Sequence, residues 1–82
     1  MKITVYGPGC PRCHETERVV RHVVDELGIA AEVEKVTDWK AMVEAGVIAT
    51  PAVAIDGQIK LAGRIPTSAD VRSWLGSPEA QG

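Results

Sequence analysis

The hydrophobic pattern changes period several times along the 82 residues, and each change marks an element. Ile3 to Tyr6 is rich in β-branched and aromatic residues and predicts a first strand. Gly7-Pro8-Gly9 then breaks the chain sharply. Val19, Val20, Val23, Val24 and Leu27 recur with a 3.6-residue period, while Glu17, Arg18, Arg21, His22, Asp25 and Glu26 occupy the opposite face. This is an amphipathic helix with Pro11 at its first position and Gly28 where a C′ glycine ends it. Glu17 and Arg21 form an i,i+4 pair in the favourable order, and Glu26 is the expected neighbour of His22.

Ala31 to Val36 predicts a second, partly exposed strand. Thr37 or Asp38 can cap a short helix through Ala45, stopped by Gly46, with Trp39, Met42 and Val43 as its expected buried stripe. Val47-Ile48-Ala49-Thr50 is a short approach to Pro51. Strands follow at Ala52–Ile55 and Gln58–Ala62, joined by Asp56-Gly57, a two-residue hairpin signal of type I′. Gly63 ends the pairing. Thr67 and Asp70 resemble a capping box with Asp in place of Glu. The helix that they head runs from about Ser68 to Leu75, with Val71, Trp74 and Leu75 facing inward. Residues 1–75 thus form one domain, and 76–82 read as a flexible C-terminal tail.

The order β-α-β-α-β-β-α predicts an α/β fold. Its βα crossovers favour parallel pairing and its hairpin adds antiparallel strands, giving a four-stranded mixed sheet with helices on both faces. Phe is absent and only Tyr6, Trp39 and Trp74 are aromatic, so the core is built from Val, Ile, Leu and Ala. Nine Lys and Arg against eleven Asp and Glu give a net charge of −2, without the basic face that nucleic acid requires. No apolar run reaches the ~20 residues of a membrane span. The chain opens on a strand pattern rather than a signal peptide, so a cytoplasmic protein is expected, and no feature requires more than a monomer.

The cysteine count changes the picture most. There are two, and they lie together as Cys10-Pro11-Arg12-Cys13. A disulfide between them closes a tiny loop and is a poor structural staple, so the pair points to thiol chemistry. With Pro11 at the first helical position, Cys10 is the N-cap. A thiolate there can accept from the N–H groups of Arg12 and Cys13, the helix dipole favours its charge, and Arg12 adds a positive charge nearby. Thiol pKa values fall from ~8.5 to about 3.5–7.5 in such settings. Cys10 is therefore the candidate nucleophile and Cys13, one turn inward, the candidate resolving thiol. His14 is either a plain surface residue or, when protonated, a further support for the Cys10 thiolate.

With Gly7-Pro8-Gly9-Cys10-Pro11-Arg12-Cys13, Gly46-Val47, Thr50-Pro51-Ala52, Ile55-Asp56-Gly57 and Gly63, the sequence resembles the thioredoxin superfamily. It is most similar to the small, glutaredoxin-sized thioredoxin-like proteins, also called redox-active disulfide protein 2. The resemblance covers residues 1–75 and implies a minimal thioredoxin fold. It implies a cis-proline at Pro51 packed against the active disulfide, and pairing of an extended substrate with the backbone of Thr50. Gly9, Pro11, Arg12, Thr50 and Pro51 then shape the substrate groove. The implied activity is thiol–disulfide oxidoreduction on a disulfide-containing protein or a low-molecular-weight thiol, with electrons from a reductase or another thiol and no cofactor. Two features differ from thioredoxin proper: Gly9 stands where a Trp would precede Cys10, and the first strand carries no carboxylate.

Other uses of two thiols remain open. Cys10-Pro11-Arg12-Cys13-His14 matches the haem-attachment pattern, but so short a chain would need a mainly helical wrap. Two thiolates also suit Cu(I) or Zn(II), although metallochaperone domains of this size usually run β-α-β-β-α-β and would leave Thr50-Pro51 unexplained. A bridging iron–sulfur cluster and a redox-gated binding module without turnover are further alternatives. No metal ligand set is assigned. Arg64, after Gly63, is placed near the active face as a possible selector of partners.

Overall fold

The structure is a computed structural model, and it describes residues 1–75. The expected tail, 76–82, lies outside the described residues. The elements are β1 (Lys2–Tyr6), α1 (Pro11–Leu27), β2 (Glu32–Val36), α2 (Trp39–Glu44), β3 (Ala52–Ile55), β4 (Gln58–Ala62) and α3 (Ser68–Leu75). They follow the order read from the sequence.

The four strands form one mixed sheet in the order β2-β1-β3-β4. β1 and β2 run parallel with Ile3 opposite Val33, as a crossover through α1 requires. The second crossover departs from that expectation: β3 lies on the other side of β1 and antiparallel to it, with Val5 opposite Val53. β3 and β4 form the expected hairpin. Its turn residues Asp56 and Gly57 have φ of 51° and 86°, the signs that a type I′ turn needs.

Alternation along β1 and β3 divides the apolar residues between two layers. Ile3, Val5, Val53 and Ile55 face Val19, Val20 and Val23 of α1 and Val71 and Leu75 of α3. Tyr6 and Ala52 point to the other face and pack with Met42, Val47 and Ile59. Helices therefore cover both faces, two on one and one on the other. β3 is buried along its whole length, as a central strand under two layers must be.

Local signals explain the helix ends. Gly28 adopts the left-handed conformation (φ 65°) and donates its N–H to Val24 O at 3.0 Å, closing α1. Asp38 caps α2 by accepting from Ala41 N at 3.1 Å. Thr67 and Asp70 cap α3 reciprocally: Asp70 N donates to Thr67 Oγ1 and Thr67 N to Asp70 Oδ2, both at 3.0 Å. The shorter Asp therefore closes the box that Glu usually closes.

Two packing expectations need correction. Trp39 and Val43 are 69% and 58% exposed, and only Met42 of the proposed stripe is buried. α2 has six residues, so little of it can face the sheet. Glu26 pairs with Arg72 of α3 at 3.2 Å rather than with His22, tying two helices together. Glu17 does bind Arg21 at 2.9 Å, and it also reaches Lys35 of β2 at 3.3 Å. Trp74 packs at the edge of the larger core.

Candidate active site

β1 ends at Tyr6 in the centre of the sheet, and α1 begins at Pro11. The intervening turn lifts Cys10 to the start of the helix. Cys10 is the N-cap residue, with extended backbone (φ −75°, ψ 167°), and Pro11 fills the first helical turn. Gly9 takes φ 91°, a conformation natural to glycine, at the exposed tip of the turn.

Both thiols are free. Their sulfurs lie 3.0 Å apart, within hydrogen-bonding distance. Their environments differ. Cys10 is half-buried, whereas Cys13 is 2% exposed beneath the turn. The Cys13 thiol next to it holds Cys10 below the ordinary thiol value of 9.0, helped by the backbone N–H groups of Cys13, Arg12 and Cys10 itself. Burial pushes Cys13 upward, and its hydrogen bond to Cys10 adds to that rise. These opposite directions favour a thiolate on Cys10 over one on Cys13.

No side-chain cap hydrogen bond is made by Cys10, and the N–H groups of Cys13 and His14 donate to its carbonyl at 2.9 and 3.1 Å. The leading support for the thiolate comes from the second cysteine, and the backbone N–H groups of Cys13 and Arg12 lower the thiol further. The leading influences on Cys10 are the Cys13 thiol and backbone N–H groups rather than the Arg12 charge. Its guanidinium instead donates to the Gly63 carbonyl at 3.1 Å.

Gly7 was legible only as a breaker of β1. It is buried, and a Cβ built on it would overlap the Cys13 sulfur and lie 2.9 Å from Cys13 Cβ. Glycine is required here by the thiol above it. The signal was in the sequence, as a glycine six residues before the second cysteine, but only the three-dimensional approach gives it meaning.

Thr50 and Pro51 lead directly into β3, and the peptide bond between them is cis. Pro51 is buried and Thr50 half-buried. Gly63, just beyond β4, donates its N–H to the Pro51 carbonyl at 2.9 Å. Arg12, Gly63 and Pro51 are therefore joined by hydrogen bonds, although the chain separates them widely. His14 is exposed on the first turn of α1. Arg64 pairs with Asp70 at 3.1 Å and so belongs to the cap of α3.

No carboxylate is buried near the thiols: the buried polar residues among those described are Thr4 and Thr16. Thr16 satisfies its hydroxyl by donating to Arg12 O at 2.9 Å. Among the described residues, no three His, Cys, Asp or Glu side chains stand together as a metal site, and no helix is long and apolar enough to cross a membrane.

The comparisons with known proteins point to one family. A family model described as a thioredoxin domain matches residues 1–76. A thioredoxin of Methanothermobacter thermautotrophicus is 41% identical over 75 residues, covering 92% of this chain and 97% of the relative. A thioredoxin of Methanocaldococcus jannaschii is 43% identical over 75 residues, covering 92% of this chain and 86% of the relative. A second thioredoxin of the same organism is 37% identical over 68 residues, 77% of this chain and 79% of the relative. The chain belongs to the thioredoxin family, with the family's fold in minimal form and thiol–disulfide oxidoreduction as its general activity.

Proposed function

We propose that the protein exchanges disulfides through Cys10 as attacking thiolate and Cys13 as resolving thiol. One observation carries this reading: two free sulfurs 3.0 Å apart, the outer one lowered in pKa and the buried one raised. The thiolate is the nucleophile in exchange, so acidity and exposure select Cys10.

In the first step the Cys10 sulfur attacks one sulfur of a partner disulfide. A bond forms between them, the partner's S–S bond breaks, and the departing thiolate takes a proton. Cys13 then loses its proton and attacks the Cys10 sulfur of the mixed disulfide, expelling the second partner thiol. Two electrons have passed to the partner together with one proton from Cys13 and one from water, and Cys10 and Cys13 are joined. With no buried carboxylate beside Cys13 among the described residues, the departing thiolate or water takes the Cys13 proton. A reductase or dithiol donor returns the pair to its starting state.

Gly9, Pro11, Arg12, Thr50 and Pro51 form the groove in this reading. Gly9 and Pro11 leave the approach to Cys10 open, and Thr50 offers backbone groups to an extended substrate. The substrates are protein disulfides or small thiols, and a cytoplasmic setting suits a pair that must be kept reducible. The test is insulin reduction with wild type and Cys10→Ser. Loss of turnover in the variant supports the assignment, and equal rates overturn it. Cys13→Ser should accumulate partners covalently held on Cys10.

A further inference from the structure

Arg12 is exposed, yet its guanidinium is engaged across the fold. Its Nη2 donates to the carbonyl of Gly63, 51 residues away, at 3.1 Å. The N–H of Gly63 donates in turn to the Pro51 carbonyl at 2.9 Å. One residue beyond β4 thus connects the redox turn on one side with the Thr50–Pro51 segment on the other. Gly63 sits at φ 95°, and a Cβ on it would lie 3.4 Å from Ala49 Cβ, so the loop also rests against the approach to Thr50.

The base of the Arg12 side chain is fixed. Its carbonyl accepts the buried Thr16 hydroxyl at 2.9 Å within α1. The guanidinium points to the Gly63 carbonyl rather than to the Cys10 sulfur, whose leading supports are Cys13 and backbone N–H groups. What remains is a planar donor reaching from a rigid helix end to a loop backbone, a task to which arginine is better suited than lysine.

We propose that Arg12 is a positioning residue, which sets the spacing between the redox turn and the Thr50–Pro51 segment and so favours disulfides presented on an extended polypeptide over small disulfides. The proposal rests on Cys10 being the attacking thiol. A polypeptide must touch Cys10 and the Thr50 backbone together, so its binding depends on the gap between them. A small disulfide needs only the sulfur.

The test compares wild type, Arg12→Met and Arg12→Lys on insulin and on uncharged hydroxyethyl disulfide. It also follows the pH titration of Cys10 thiolate absorbance and the hydrogen exchange of the Gly63 amide. Arg12→Met should raise KM for insulin roughly 3–10-fold, the range that loss of one ordinary exposed hydrogen bond spans, with a smaller change in kcat. The ratio of insulin to small-disulfide reduction should fall, the Cys10 midpoint should stay in place, and Gly63 exchange should accelerate. Arg12→Lys, with one donor of similar reach, should recover part of each effect. A raised Cys10 midpoint with equal losses on both substrates would overturn the proposal, since Arg12 would then act by charge. Wild-type KM and wild-type Gly63 exchange in Arg12→Met would overturn it too. Cys10→Ser separates the two readings: activity surviving in that variant refutes the attacking role of Cys10, while Gly63 exchange still reports on the tether.

Discussion

Gly7→Ala gives the sharpest test of how the buried thiol is seated. Gly7 lies outside the left-handed region, so alanine could adopt its backbone without strain. The obstacle is entirely the neighbour: the new Cβ would overlap Cys13 Sγ and lie 2.9 Å from Cys13 Cβ. Cys13 belongs to the first turn of α1 and is 2% exposed, so it has little room to retreat. Overpacking of this kind costs about 1–3 kcal/mol. Removing a glycine from the unfolded chain returns about 0.4–1 kcal/mol. The midpoints of those ranges leave a destabilisation of about 1.3 kcal/mol, and in a domain this small Tm falls by roughly 4–8 °C per kcal/mol. The assay is urea and thermal unfolding of the reduced protein as a cycle of wild type, Gly7→Ala, Cys13→Ala and the double variant. Cys13→Ala removes the worse of the two overlaps, so Gly7→Ala should cost less than half as much in that background. Alkylation of Cys10 should also slow in Gly7→Ala, because a displaced Cys13 no longer supports the thiolate. A Gly7→Ala protein as stable as wild type, or an equal penalty in both backgrounds, refutes the reasoning.

Iodoacetamide should label reduced protein once below pH 9, at Cys10: its pKa lies below 9.0 and that of Cys13 above, so the rate rises with pH and levels off before the second thiol reacts, as mass spectrometry will show. Thr67→Ala should destabilise by about 0.5–2 kcal/mol in chemical unfolding, the usual cost of losing such a cap. Asp70 is held below its ordinary value of 3.8, first by the Thr67 N–H and then by Arg64. Its contribution is therefore complete above about pH 3.8 and fades as pH falls through the lower folded value; Asp70→Asn should flatten that part of an acid-unfolding curve. Trp39→Ala should change stability by no more than about 0.5 kcal/mol, where a core tryptophan would cost about 3–5 kcal/mol.

The elements were legible because each carried its own local signal: Pro11 and Gly28 bracket α1, Asp56-Gly57 turns the hairpin, and Thr67 with Asp70 starts α3. The cysteine spacing and its place before a helix were enough to put the two thiols together at the head of α1. What local pattern could not disclose was depth and long-range approach. Trp39 and Val43 have helical core spacing, but so short a helix on this face of the sheet has room to bury only Met42. Arg12 sits beside the thiols in sequence, which suggested charge; its partner is a carbonyl 51 residues away. The same holds for β3, whose side of β1 depends on which edge the rest of the chain leaves free.

The two layers around the sheet are unequal. α1 and α3 share nine well-buried apolar residues with one face, whereas α2 is held to the other around Met42, Val47 and Ala52. Local opening follows the weaker layer, since its free energy scales with what it buries. Hydrogen exchange of the α2 amides should therefore outpace that of the α1 amides, so the two thiols sit at the head of the helix that opens last.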